Sequence, residues 1–88
     1  MTTGFLLGRL VATPGALALT NTLVLAQLLA RHSVGDWGEL DRHDQAVNNR
    51  AVGNGGRILS AYTVGTETVW IVTEADRSCT TFLLPSEY

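Results

Sequence analysis

Arg57-Ile58-Leu59-Ser60-Ala61-Tyr62-Thr63-Val64, Val69-Trp70-Ile71-Val72-Thr73-Glu74 and Cys79-Thr80-Thr81-Phe82-Leu83-Leu84 are three apolar, alternating runs. Two short polar breaks separate them, Gly65-Thr66-Glu67-Thr68 and Ala75-Asp76-Arg77-Ser78. Short runs rich in Val, Ile, Thr and aromatics, joined by breaks that hold Gly, Asp or Ser, predict a β-meander of two hairpins. In the middle run Trp70, Val72 and Glu74 fall on one strand face, and Val69, Ile71 and Thr73 on the other. The meander decides the architecture and says little about chemistry.

Working outward, Phe5-Leu6-Leu7-Gly8-Arg9-Leu10-Val11-Ala12-Thr13 is a further apolar run that can join the meander as a strand. Thr13-Pro14 opens a short helix to Leu19, because Thr caps and Pro is tolerated at the first helical position. Asn21 or Thr20 caps a second helix over Thr22 to His32, ending on Arg31 and His32 where positive charge suits the helix dipole. Asp41 caps a third, about Arg42 to Val52, and Gly53-Asn54-Gly55-Gly56 stops it. The expected fold is α+β, a single domain over residues 1–88 in the order β-α-α-α-β-β-β. Its antiparallel C-terminal meander is covered on one face by the helices. The expected core is Ile58, Leu59, Tyr62, Trp70, Val72, Phe82, Leu84, Leu25, Leu28 and Leu29.

The second helix is apolar around most of its circumference: Leu23, Val24, Leu25, Ala26, Leu28, Leu29 and Ala30 leave few polar positions. A surface helix of a soluble domain shows one apolar stripe. An 88-residue chain cannot hide all of these residues, so the helix is expected to meet another chain, with Leu23, Val24 and Gln27 at a homodimer contact. Only 16% of residues are charged, against a typical ~25%, which also favours association.

All six basic residues are arginines, scattered along the chain, and the net charge is −2. That pattern lacks the basic footprint of a nucleic-acid binder. Cys79 is the only cysteine, so no intramolecular disulfide can form. Nothing basic precedes Phe5-Leu6-Leu7 as in a signal peptide. The apolar stretch Ala16 to Ala30 is too short to cross a bilayer. No membrane association is expected, and the cytoplasm is the expected compartment.

His32, Asp36, Glu39, Asp41, His43 and Asp44 invite a metal or acid–base reading, but their spacing matches no strong ligand motif. The plainer expectation is that His32 closes a helix, Asp41 and Asp44 serve the next helix start, and His43 faces water. The glycines at 53–56 follow a helix and precede a strand, the reverse of a phosphate-binding loop. No catalytic residue, metal or cofactor is assigned. Glu74, Asp76 and Arg77, presented on a hairpin loop, and Asp36 and Trp37, in a glycine-flanked turn, are the candidates for binding a partner. The competing expectations are a local turn held by Asp76 and Ser78, and a Trp37 that covers the end of the core.

Several segments together resemble a family of small bacterial proteins from plasmids, integrative elements and similar mobile DNA. They are Gly8 to Leu17, Leu29-Ala30-Arg31-His32, Gly35-Asp36-Trp37-Gly38, Gly56 to Tyr62, Trp70 to Ser78, Thr80-Thr81 and Leu83 to Tyr88. Some members carry a label as a type I restriction endonuclease subunit. The resemblance implies no catalytic residues, and nothing in this chain is similar to a methyltransferase cofactor loop or its Asn-Pro-Pro-Tyr motif. Around Leu19 to Gln27 this chain is more apolar than the family pattern. The leading expectation is a non-enzymatic protein-binding module of mobile-element origin that inhibits a host defence complex such as CRISPR or restriction. The alternatives are a small metal-dependent hydrolase using His32, Asp36 and His43, and an antitoxin-like DNA-binding regulator using Arg42 and Arg50.

Overall fold

The computed structural model describes residues 5–88. In chain order the elements are β1 (Arg9–Ala12), α1 (Pro14–Leu19), α2 (Thr22–Ser33), α3 (Arg42–Asn54), β2 (Ile58–Val64), β3 (Glu67–Thr73) and β4 (Cys79–Leu83). A single 3-10 turn, Pro85–Glu87, follows. This is the α+β order expected. The four strands form one sheet in the order β1-β4-β3-β2. β2, β3 and β4 make the antiparallel meander, while β1 lies parallel to β4, so the sheet is mixed rather than wholly antiparallel.

The caps fall where the sequence places them. The side chains of Thr13, Asn21 and Asp41 accept from the backbone N–H groups of Ala16, Val24 and Asp44. Each satisfies a donor that the first helical turn leaves without a partner. α3 runs two residues past the expected end and stops at Gly55, whose φ of 83° is the left-handed conformation that glycine adopts without strain. The first hairpin is tighter than expected. Gly65 and Thr66 alone make the turn, with Gly65 at φ 65° and Val64 opposite Glu67. Gly in the first central position is the type II′ arrangement that matches strand twist.

Strand alternation divides the residues between two faces. Ile58, Ser60 and Tyr62 of β2, Val69, Ile71 and Thr73 of β3, and Thr80 and Phe82 of β4 face the helices. There Tyr62, Val69, Ile71 and Phe82 pack with Ala16 and Leu28, while Trp37, Ala51 and Ile58 make a second cluster under α3. Of the expected core, Ile58, Tyr62, Val72, Phe82 and Leu28 are buried; Leu25, Leu29, Leu59, Trp70 and Leu84 are half-buried. Leu59, Trp70 and Val72 belong to the opposite face, where Trp70 meets the Tyr88 ring edge-on at 5.6 Å. Trp37 is a core residue, 3% exposed, and its indole N–H donates to Asn49. No helix of the described residues is long and apolar enough to cross a membrane.

Candidate protein interface

The two edges of the sheet are treated differently. Along the β2 edge, Leu59 and Ala61 have both outward backbone groups engaged, and Thr63 its N–H. The Asn48 amide reaches from α3, donating to the Leu59 carbonyl at 2.6 Å and accepting from the Leu59 N–H at 3.2 Å. One carboxamide thus stands in for a neighbouring strand. Two residues on, Ala61 donates to the Trp37 carbonyl and accepts from Glu39 N–H, which makes Gly38 a one-residue bridge. A Cβ at Gly38 would lie 1.9 Å from the Ala61 carbonyl oxygen, so only glycine permits this approach. At Thr63 the Glu39 carboxylate accepts from both the backbone N–H and the hydroxyl. Bare strand edges invite pairing with other chains, and this one is blocked residue by residue.

The β1 edge is not blocked. Arg9 N–H donates to Ser78 O and Thr13 N–H to Phe82 O. In a strand of period two, the odd-numbered residues therefore turn their backbone groups to β4, and Leu10 and Ala12 turn theirs outward. Among the described residues neither has a backbone or side-chain partner for those groups. The side chains there are bare as well, Leu10 at 51% and Val11 at 39% exposure. Beside them lies a groove of about 280 Å³, lined by Leu10, Val11, Ala12 and Phe82 from the sheet and Thr22, Leu25, Ala26 and Leu29 from α2. It bears no charge.

The residues expected to bind a partner are engaged within the fold. Asp36 is held by Arg31 through two hydrogen bonds, of 2.7 and 3.2 Å, and accepts from Gly38 N–H. The guanidinium bonds lower the Asp36 pKa, and the Arg31 pKa is raised in return. Arg77, at φ 60°, donates to the carbonyls of Gly56 and Ala51 at 2.6 and 2.8 Å, and so ties the second hairpin to the end of α3. Asp76 accepts from Ser78 N–H within its own turn, and its pKa is lowered by the Ser78 hydrogen bonds. Glu74 is half-buried. Of the expected dimer contacts, Leu23 is 66% exposed and Gln27 is exposed, but Val24 packs on the core. The more continuous apolar surface is the flank of α2 that faces β1.

His32, Asp36 and His43 do not converge. His43 is exposed on α3, Asp36 is paired, and among the described residues no three His, Cys, Asp or Glu side chains are grouped to hold a metal. Arg42 and Arg50 are exposed on α3. His32 is wholly buried, and both its ring nitrogens are engaged: Nδ1 with Ser60 Oγ at 2.5 Å and Nε2 with Thr73 Oγ1 at 2.8 Å. Thr73 in turn meets Thr80, and Thr80 donates to the Leu7 carbonyl at 2.6 Å. Each hydroxyl carries one proton, so the carbonyl fixes the direction of the chain as far as the His32 ring, and a neutral ring then fixes the last bond. Thr80 donates to Leu7, Thr73 to Thr80, His32 Nε2–H to Thr73, and Ser60 to Nδ1. The imidazole is neutral, and burial pushes its pKa down to about 4. No carboxylate joins the chain, so it has the ordering of a relay without the base of a hydrolytic triad.

This network was not anticipated, although a signal for it exists. Ser60, Thr73 and Thr80 are small polar residues at inward positions of otherwise apolar strand faces, which requires a buried partner for each. Burial also raises the Tyr62 pKa to about 12, and its hydroxyl donates to Asp36 O. Comparison with protein-family models, with curated proteins and with solved structures gives no match.

Proposed function

We propose that the chain is a non-enzymatic protein-binding module that works through main-chain pairing at the open edge of β1. An extended segment of a protein partner aligns there, its backbone meeting the outward groups of Leu10 and Ala12 and its side chains entering the apolar groove. The supporting observation is the contrast between edges: β2 has both outward groups engaged at Leu59 and Ala61 and the N–H engaged at Thr63, whereas β1 presents exposed apolar side chains and free backbone groups. A chain that blocks one edge with three separate devices and leaves the other bare has a use for the second. The mobile-element resemblance suggests a component of a host defence complex, of CRISPR or restriction type, as the eventual target.

The test is Leu10→Pro. Proline is admitted on an edge strand where the lost N–H faces outward, so the β1–β4 ladder is retained while the edge is blocked. A purified defence component that binds the wild type and not Leu10→Pro supports the proposal. Equal binding to both, or no binding of any defence component to the wild type, overturns the corresponding part of it.

A further inference from the structure

We infer that the strand which pairs with β1 is β1 of a second copy of this chain, antiparallel across a twofold axis at Val11. The inference rests on the open edge proposed above as the binding surface: the second copy holds that edge in the free protein, and a defence-complex segment competes with it for the same groups.

The backbone sets the register. Leu10 and Ala12 are the β1 residues whose N–H and C=O groups point outward. Antiparallel pairs that exchange both hydrogen bonds must join outward-facing residues. Setting Leu10 against Ala12 of the copy, and Ala12 against its Leu10, uses every outward group of both strands and leaves Val11 opposite Val11 on the axis. The groove face then matches a large side chain with a small one. Leu10, half-exposed here, stands over Ala12 of the copy, beside the groove wall that Ala26 and Leu29 form. On the other face two β-branched side chains meet at the axis, a favourable cross-strand pair.

Charge selects the same arrangement. Arg9 opens β1, is exposed, and among the described residues has no side-chain partner. At the other end, Thr13 donates its hydroxyl to Glu87 at 2.6 Å, and Gly15 N–H donates to the same carboxylate at 3.0 Å. Those bonds lower the Glu87 pKa, the Thr13 hydroxyl most, and keep the carboxylate ionised. The strand therefore has a free cation at its start and a fixed anion at its finish. In the Val11-centred register Arg9 falls opposite Thr13 of the copy, on the same sheet face. Each guanidinium is thereby carried to the Glu87 carboxylate of the other molecule, twice per dimer. Shifting the register by two residues, or making the pair parallel, loses both ion pairs. An isologous contact needs one patch that complements itself, and β1 meets that condition in shape, hydrogen bonding and charge.

The experiment combines sedimentation with a cysteine scan, in a Cys79→Ser background so that the only native thiol is removed. Across a non-hydrogen-bonded antiparallel pair the Cα atoms lie roughly 4.5 Å apart, within disulfide reach. Val11→Cys should give a covalent dimer under mild oxidation, whereas Leu10→Cys, facing Ala12 of the copy, should not. Wild-type protein should sediment as a dimer, and Leu10→Pro as a folded monomer. Arg9→Glu should associate roughly tenfold more weakly, with the difference shrinking at high salt. A wild-type monomer at high concentration overturns the second copy as occupant. In that monomer, fast amide exchange at Leu10 and Ala12 preserves the edge as a binding surface, and slow exchange removes it too. A dimer that survives Leu10→Pro, or that crosslinks at position 10 and not 11, overturns the β1 contact.

Discussion

Acidifying the protein from neutral pH to about pH 4.5 should weaken it chiefly through one residue, His32. The unfolded chain takes up the proton near the ordinary imidazole pKa of about 6.5, and the native chain only near 4, because burial excludes the charged ring. Between those values the unfolded state binds more protons, so stability rises with pH across the window and is fully present above it. The separation amounts to about 3 kcal/mol when complete, of which about 2.5 kcal/mol is lost by pH 4.5. That is a large share of the roughly 5–15 kcal/mol typical of a domain. Asp36, Asp76 and Glu87 are all held below the usual carboxylate range and stay ionised in the native chain there, while the unfolded chain only begins to protonate them at about pH 4.5, so they add a smaller loss in the same direction. Urea unfolding at the two pH values measures the change, and ring nitrogen shifts report the protonation state directly. His32→Gln, which keeps an acceptor and a donor, should be less stable at neutral pH but far flatter in its pH dependence. A ring that titrates near 6.5, an Nδ1–H tautomer, or an unchanged slope in His32→Gln would refute the reasoning.

Asn48→Ala should cost about 2–4 kcal/mol, since two hydrogen bonds to Leu59 vanish and the backbone groups they satisfied are left without partners. It should also raise aggregation in a turbidity assay, because a second edge is opened. Gly38→Ala should be worse than its size suggests: the added methyl meets the Ala61 carbonyl, and thermal melting should show loss of Trp37 burial together with stability. Arg77→Lys should lose about 1–3 kcal/mol in urea melts, as a single ammonium cannot span the Ala51 and Gly56 carbonyls.

Much of the fold is legible because its signals are local. Thr13-Pro14, Asn21 and Asp41 act within three residues of themselves, and the alternation of Val69 to Thr73 needs no partner to be read. The direction of β1 was not legible, since a four-residue run has the same pattern whether it lies parallel or antiparallel to its neighbour. The functional candidates raise a different point. Asp36, Trp37, Asp76 and Arg77 look available because they sit in turns beside glycine or serine. In three dimensions Arg31, Asn49, Ser78 and the Ala51 and Gly56 carbonyls engage them, and only Ser78 and Arg31 lie within five residues of their partners in sequence. The sequence points to α2 as the interface because apolar excess is visible in sequence. The bare edge of β1 depends on which strand lies beside it, and that is a property of the assembled sheet.

The most direct test of the open edge is amide hydrogen exchange, residue by residue, over a range of protein concentration. At the lowest concentration Leu10 and Ala12 should exchange quickly, while Val11, bonded to β4, and Leu59 and Ala61, sealed by Asn48 and Trp37, should be slow. Raising the concentration should protect Leu10 and Ala12 and leave the others unchanged. Protection of Leu10 and Ala12 at the lowest concentration, or rapid exchange at Leu59 and Ala61, would contradict a sheet with one closed edge and one open one.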